Sequence, residues 1–223
     1  MNILLLIPSF FIFLYCFYKL IRDDYALMRR NISSEQSFDM IFFVIVFGIL
    51  FSRLFFFVFH AEKGGNLLLS FLSQSGGLSL VGGVIGGLAG LYLSCKYKKV
   101  PLGRFADFLT LAFVTALPLG FLSQIFFAPK DQWILYCVIS FIYFLIAVIL
   151  IKRSYKKLMN RTIGEGRIAA LFLIIFPILS ILFSLTTSFK NLKTLINVES
   201  FTLTGILLFG FFLLIKQKVG GKK

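Results

Sequence analysis

Between Ser75 and Cys95 the chain runs for twenty-one residues without a charge and places seven glycines among them, at 76, 77, 82, 83, 86, 87 and 90. An α-helix rises about 1.5 Å per residue and must cross roughly 30 Å of hydrocarbon, so the length suits a membrane span. Gly82, Gly86 and Gly90 recur at every fourth position with Gly83 and Gly87 beside them, which lays one bare stripe along the helix. In lipid the hydrophobic effect does not draw helices together; close packing does, and a stripe without side chains lets a second backbone approach. The stripe therefore predicts a tight helix–helix contact, with this helix as the central one of the fold.

Six further apolar segments flank it, and together they predict seven spans at roughly 2–20, 38–59, 78–95, 105–127, 134–151, 168–187 and 201–215. The chain is 59% hydrophobic and 14% charged, with a mean hydropathy of +0.94, more apolar surface than a soluble domain of 223 residues could hide from water. The net charge of +14 would suit nucleic acid if it were gathered on one face, but the basic residues lie between the apolar segments. The connections after the first, third and fifth segments and the C-terminal tail carry eighteen of the 23 Lys and Arg; the other connections carry four, and Arg53 lies inside a segment. Basic residues mark the cytoplasmic side, so the N-terminus is expected outside and the C-terminus in the cytoplasm. With no internal repeat and no long linker, residues 1–223 read as one all-α, polytopic membrane domain.

The apolar run at 2–20 lacks a basic leader and a small-residue cleavage site, and reads as a retained helix. Cys16, Cys95 and Cys137 fall in apolar runs without C-x-x-C spacing, so they read as free, buried thiols, with neither a disulfide frame nor a metal or cofactor site.

An ionisable side chain in hydrocarbon costs roughly 2.5–3.5 kcal/mol, so each needs a reason. Arg53 lies about 9 Å short of the outer end of the second span, where a guanidinium can grip a phosphate with two donors or snorkel to the surface. Ser79, Ser123, Gln124, Ser180, Ser184, Thr202 and Thr204 are expected at similar depth, with His60 just outside the second span. Facing one interior they would line an outward-opening polar cavity; taken singly, such hydroxyls often only serve backbone carbonyls. Asp107 opens the fourth span three residues after Arg104, which suggests a local i, i+3 pair and a carboxylate favoured by the helix dipole. The stretch Leu67–Leu72 is expected to lie on the outer interface.

The second span carries F-S-R at Phe51–Arg53, the third is entered through G-G-L-S-L-V-G-G-V-I-G at Gly76–Gly86, and the fourth opens on D-F at Asp107–Phe108. These motifs resemble the G-G-R, the G-G-x-S-F-H-G-G-x-x-G and the D-F aspartate of the bacterial prolipoprotein diacylglyceryl transferase family. The family's signature G-R-x-G-N-F-x-N-x-E corresponds to Gly120–Pro129, and Glu199–Gly205 resembles its M-G-Q region. The similarity is strongest from about 38 to 127.

The resemblance implies seven helices in the bacterial cytoplasmic (inner) membrane and transfer of a diacylglyceryl group from phosphatidylglycerol to the thiol of a lipobox cysteine, releasing glycerol phosphate. It carries over Arg53, Ser79, Gly82 and Gly83 as lipid- or phosphate-binding candidates, joined on grounds of depth alone by Ser123 and Gln124, and Asp107, Gly76, Gly77, Gly86 and Gly120 as motif positions. Val81 stands at the family's histidine, Phe121 at its arginine, Gln124 at its asparagine and Pro129 at its glutamate. Such chemistry needs a thiolate and cationic groups on the leaving phosphate, and a valine moves no proton. Two readings stand: a diverged transferase, with His60 as a substitute base, or a silent relative that holds an anionic phospholipid or a hydrophobic signal helix. Phosphatidylglycerol and a lipobox preprotein are the implied partners; nucleic acid is not.

Overall fold

The computed structural model describes residues 6–22, 24, 32–60, 78–126, 128–160, 164–187 and 198–220, and within them every long element is a helix, with no strand. Helix α1 is Leu6–Arg22, α2 Ser34–His60, α3 Leu80–Lys98, α4 Leu102–Gln124, α5 Trp133–Ile149, α6 Arg167–Thr187 and α7 Val198–Gly220. A short 3₁₀ turn, Lys130–Gln132, leads into α5, and α5 runs on through a π-helical stretch, Leu150–Tyr155, to a last turn at Lys156–Met159. Six of the helices are long and apolar enough to cross a membrane. The remaining helix, α1, has 17 residues in its described part, a length of about 26 Å.

The helices overrun the apolar segments at several ends. Helix α2 begins at Ser34 instead of 38, because Ser33 accepts the Gln36 N–H at 3.1 Å and starts the helix in the polar stretch Ser34-Glu35-Gln36. Helix α3 continues to Lys98 and closes on Lys99, whose left-handed backbone (φ 55°) returns an N–H to the Cys95 carbonyl. Hydropathy marks where lipid ends, and the hydrogen-bonded helix extends into the headgroup layer beyond it.

The glycine stripe meets α2. A Cβ on Gly82 would lie 2.6 Å from both the Phe51 carbonyl oxygen and Phe55 Cβ, one on Gly86 would strike the Phe47 carbonyl oxygen, and one on Gly90 would lie 2.9 Å from Phe47 Cβ. Along the same side of α2, Phe43, Phe47, Phe51 and Phe55 stack ring on ring at 6.3–6.4 Å. The tight contact expected of the stripe is therefore present.

The central position is held by α4, not α3. Of α4's spanning stretch 56% is buried, against 44% for α3 and 17% for α2. A glycine stripe brings one neighbour close, whereas a hub must bury several faces, and α4 does so with Ala106, Ala112 and Ala116 between Phe105, Phe108 and Leu111. Helix α4 packs on α1, α5 and α6, and α7 rests on α6. Phe17 meets Phe105 edge-to-face at 5.3 Å on the α1 side, and Phe113 meets Phe172 on the α6 side.

The three thiols are free, but only Cys95 is buried; Cys16 is half-buried and Cys137 is exposed on the outer surface of α5. An apolar run in a membrane protein has a lipid face as well as a core face, so residence in such a run does not imply burial.

Candidate functional site

At one end of the bundle Ser79 opens α3. Its extended backbone (φ −85°, ψ 121°) and an Oγ that accepts the Gly82 N–H at 3.2 Å make it the helix cap. Ser52 then fixes Ser79 to α2 from both sides of the residue. The Ser79 N–H donates to the Ser52 carbonyl at 3.1 Å, and the Ser52 hydroxyl donates to the Ser79 carbonyl at 2.7 Å. Both serines are buried, and Gly83 lies over the Ser52 side chain. Ser79, Gly82 and Gly83 are thus brought together, with α2 covering the two glycines. Arg53 follows Ser52 directly and is half-buried. At 3.6 residues per turn it leaves α2 about 100° round from Ser52 and about 200° from Phe51, on a face turned away from the glycines. His60 ends α2, and its side chain lies outside the described residues, as do Gly76, Gly77 and Leu67–Leu72.

Several further hydroxyls are turned onto backbone. Ser123 donates to the Gly120 carbonyl at 2.6 Å, Thr202 to that of Glu199 at 2.7 Å and Thr204 to that of Ser200 at 2.8 Å. Ser9 of α1 and Ser140 of α5 reach across to α4, to the carbonyls of Ala116 and Pro118, both at 2.8 Å. Ser180 and Ser184 are half-buried on α6, and Gln124 is exposed in the last turn of α4. The Ser9 and Ser140 bonds tie α1 and α5 to α4, while those of Ser123, Thr202 and Thr204 stay within their own helices and serve backbone carbonyls.

Two of the positions that differ from the family pattern, Val81 and Phe121, are packed as apolar structure. Val81 is 2% exposed, and the Phe121 ring lies flat on Tyr143, with centroids 5.1 Å apart and planes 8° from parallel. Pro129 is exposed and leads into the 3₁₀ turn.

At the opposite end Asp107 and Arg104 do not pair with each other. The Arg104 guanidinium grips Asp24, just beyond α1, through Nε at 2.6 Å and a terminal nitrogen at 2.7 Å, with both side chains almost wholly enclosed. Asp107 accepts the Gly166 N–H at 2.7 Å and the Ala169 N–H at 2.9 Å, so it caps α6 from α4. Gly103 makes room for this, since a Cβ there would lie 2.9 Å from the Glu165 carbonyl carbon, and Gly166 takes a left-handed backbone with φ 86°. A buried carboxylate needs several donors at once, and the start of α6 supplies two backbone N–H groups to Asp107 while Arg104 gives two of its own to Asp24. Asp24, Ser52 and Tyr143 carried no signal in the sequence beyond a polar residue at the margin of, or inside, an apolar run.

Among the described residues no three His, Cys, Asp or Glu side chains come together to hold a metal. What fold and site define is a multi-pass helical membrane protein, with a glycine-packed helix pair at one end and a carboxylate-capped helix joint at the other. The chain belongs to the prolipoprotein diacylglyceryl transferase family, whose profile matches residues 4–126.

Relatives include phosphatidylglycerol–prolipoprotein diacylglyceryl transferase 1 of Clostridium perfringens, 27% identical over 92 residues, covering 41% of this chain and 35% of that protein. The enzyme of that name from Prochlorococcus marinus is 26% identical over 186 residues, covering 65% of this chain and 63% of the relative. One from Staphylococcus aureus is 26% identical over 99 residues, covering 43% and 34%. The chain thus spans between about a third and just under two thirds of these relatives' length. No solved structure matches it.

Proposed function

We propose that this protein serves its family's lipid chemistry in the bacterial cytoplasmic membrane as a single domain of seven crossings, with its N-terminus outside. Its substrate is an anionic phospholipid, phosphatidylglycerol by the names of its relatives, with the phosphate held by Arg53 near the outer leaflet. Ser79, Gly82 and Gly83 fix α3 against another face of the same stretch of α2, and Ser123 and Gln124 lie at the same end. By resemblance the reaction joins the glyceryl carbon of the lipid to a lipobox cysteine sulfur of a preprotein and releases glycerol phosphate, the thiol proton passing to a base. His60 is the candidate base. The observation that carries the reading is the serine clamp of Ser52 on Ser79, which fixes the start of the motif helix one residue from Arg53.

A second reading, a silent relative that binds the same lipid or a hydrophobic signal helix without transfer, is favoured by one specific observation. The positions where the family has its histidine and arginine hold a buried valine and a phenylalanine stacked on Tyr143. Neither can move a proton or meet a phosphate charge.

The experiment that separates the two uses purified protein in phosphatidylglycerol liposomes with a lipobox preprotein, followed by intact-mass measurement of the acceptor cysteine. A diacylglyceryl adduct that is lost with Arg53→Ala and with His60→Ala establishes the transferase. Phosphatidylglycerol retained by the wild type without any adduct, while a complete relative modifies the same preprotein, establishes the silent binder. Retention that is equal in wild type and Arg53→Ala removes Arg53 from the site.

A further inference from the structure

The polar links between helices form two groups. One joins α1, α4, α5 and α6 into a body. Ser9 ties α1 to α4, Arg104 ties α4 to Asp24 just beyond α1, Ser140 ties α5 to α4, and Asp107 ties α4 to the start of α6. The Arg104 and Ser9 links lie about 18 Å apart along α4, so the body is fastened at both ends. Helix α7 seats on it through Gly210, where a Cβ would lie 2.9 Å from Ile174. The other group joins α2 to α3, and it too runs from end to end. Ser52 clamps Ser79 at one end, the glycines seat α3 on Phe47, Phe51 and Phe55 in between, and Lys98 lies 3.9 Å from Asp39 at the other end.

Hairpin and body meet in a different way. The glycines take one face of α3, and Val81, Val84 and Leu91, on the opposite face, join an apolar cluster with Phe105, Leu111 and Leu203. Helix α4 packs more closely on α1, α5 and α6 than on α3. In lipid an apolar contact is held by packing alone, because acyl chains receive a valine or a leucine about as well as another helix does. Parting the two units along this seam therefore breaks no link of either group.

The chain passes between hairpin and body only at the Lys98 end, from α1 into α2 and from α3 into α4. At the Ser79 end it runs from α2 into α3 and stays within the hairpin. The α3–α4 connection is three residues long: Lys99 is left-handed (φ 55°), Val100 is buried and Pro101 is extended (φ −65°, ψ 108°). Tyr18 of α1 and Phe38 of α2 hold their rings 5.9 Å apart at the same end. Hinges are built from a few element-terminal residues of this kind, between units that are each rigid.

We infer that α2 and α3 move as one rigid hairpin, pivoting at Lys99–Pro101 and parting from α4 at the Ser79 end. This goes beyond the reading of function, because the motion is a property of the fold and holds for transferase and silent binder alike. For either, the seam opens at the end of the bundle where Arg53 lies.

The test is double electron–electron resonance on full-length protein in phosphatidylglycerol nanodiscs, with Cys16→Ala and Cys137→Ala and with the buried Cys95 left in place. Spin labels go on pairs of exposed positions changed to cysteine: Leu80 with Gln124 across the seam at the Ser79 end, Tyr97 with Lys152 across it at the Lys98 end, and Phe42 with Leu80 within the hairpin. Helix α3 is a lever of about 28 Å, so a rotation of about 10° carries Leu80 about 5 Å. Expected is a second, longer distance, by about 5 Å, for Leu80 with Gln124, and a single narrow distance for each of the other two pairs.

A single narrow distance for Leu80 with Gln124 overturns the motion. An equal lengthening for Tyr97 with Lys152 overturns the pivot, since the hairpin then leaves the body as a whole. A second distance for Phe42 with Leu80 overturns the rigid hairpin.

Discussion

Replacing Asp24 by asparagine removes one charge from a pair that has no access to water. Two donors of Arg104 lie 2.6 and 2.7 Å from the two oxygens of Asp24, and the side chains are 3% and 1% exposed. Breaking such a pair from one side leaves a guanidinium enclosed without its counter-charge, at a cost of about 3–5 kcal/mol. For a chain of this length each kcal/mol moves the melting temperature by about 2–4 °C, so Asp24→Asn should melt roughly 6–20 °C below wild type in detergent. The double replacement Asp24→Leu with Arg104→Met removes both charges and keeps apolar volume against Phe108, over whose ring the guanidinium now sits at 5.8 Å. It should recover most or all of the loss, because two well-packed apolar groups replace an enclosed ion pair at little or no cost. A differential scan of wild type, the single variant and the double variant decides the matter. A single variant within about 1 °C of wild type, or a double variant as unstable as the single, would refute the argument.

Gly82→Ala and Gly86→Ala push a methyl group into the carbonyls of α2 and should each cost about 1–3 kcal/mol, whereas Gly205→Ala in α7 meets nothing within 4 Å and should gain about 0.5–1 kcal/mol; thermal unfolding reads all three. Asp107→Ala leaves the Gly166 and Ala169 N–H groups without their acceptor, at about 1–3 kcal/mol each, and should speed hydrogen exchange in the first turn of α6; Asp107→Asn, with one acceptor oxygen left, should fall between. Ser52→Ala should cost about 0.5–1.5 kcal/mol and loosen the start of α3, read as faster exchange of the Ser79 amide. The proposed orientation predicts that Lys98→Cys, at an exposed position beside the buried Cys95, is labelled by an impermeant reagent only from the cytoplasmic side; labelling from outside would reverse it.

Helix positions were legible because apolar length is a local property of the chain. The stripe of Gly82, Gly86 and Gly90 also announced a close contact, since a missing side chain has the same meaning wherever the helix goes. Its partner was not written in it. That α2 fills the groove, and that α4 is the hub, depends on how alanines and phenylalanines are distributed around α4, and a count of glycines is blind to this.

The polar residues divide in the same way. Ser123, Thr202 and Thr204 found carbonyls within their own helices, as short hydroxyl side chains in a span tend to do. Arg104 and Asp107 invited a local pairing, yet each is served from far along the chain, by Asp24 and by the start of α6. Burial is what redirected them, and it is a property of the assembled bundle. Tyr143 was hidden inside an apolar run, where a single phenol weighs nothing in hydropathy.

The distances between partners along the chain also set an order of assembly during synthesis. Helices α2 and α3 are consecutive and packed along their length, so that hairpin is complete in its contacts as soon as residue 98 has cleared the ribosome and entered the membrane. Asp107 follows at once, but its acceptor duty begins only when Gly166 arrives, 59 residues later. At a synthesis rate of about 5–20 residues per second, the nascent chain carries an uncapped acid at the mouth of α4 for roughly 3–12 seconds. Nascent chains stalled before Gly166 and Ala169 have left the ribosome should be more readily degraded than chains stalled after both have entered the membrane.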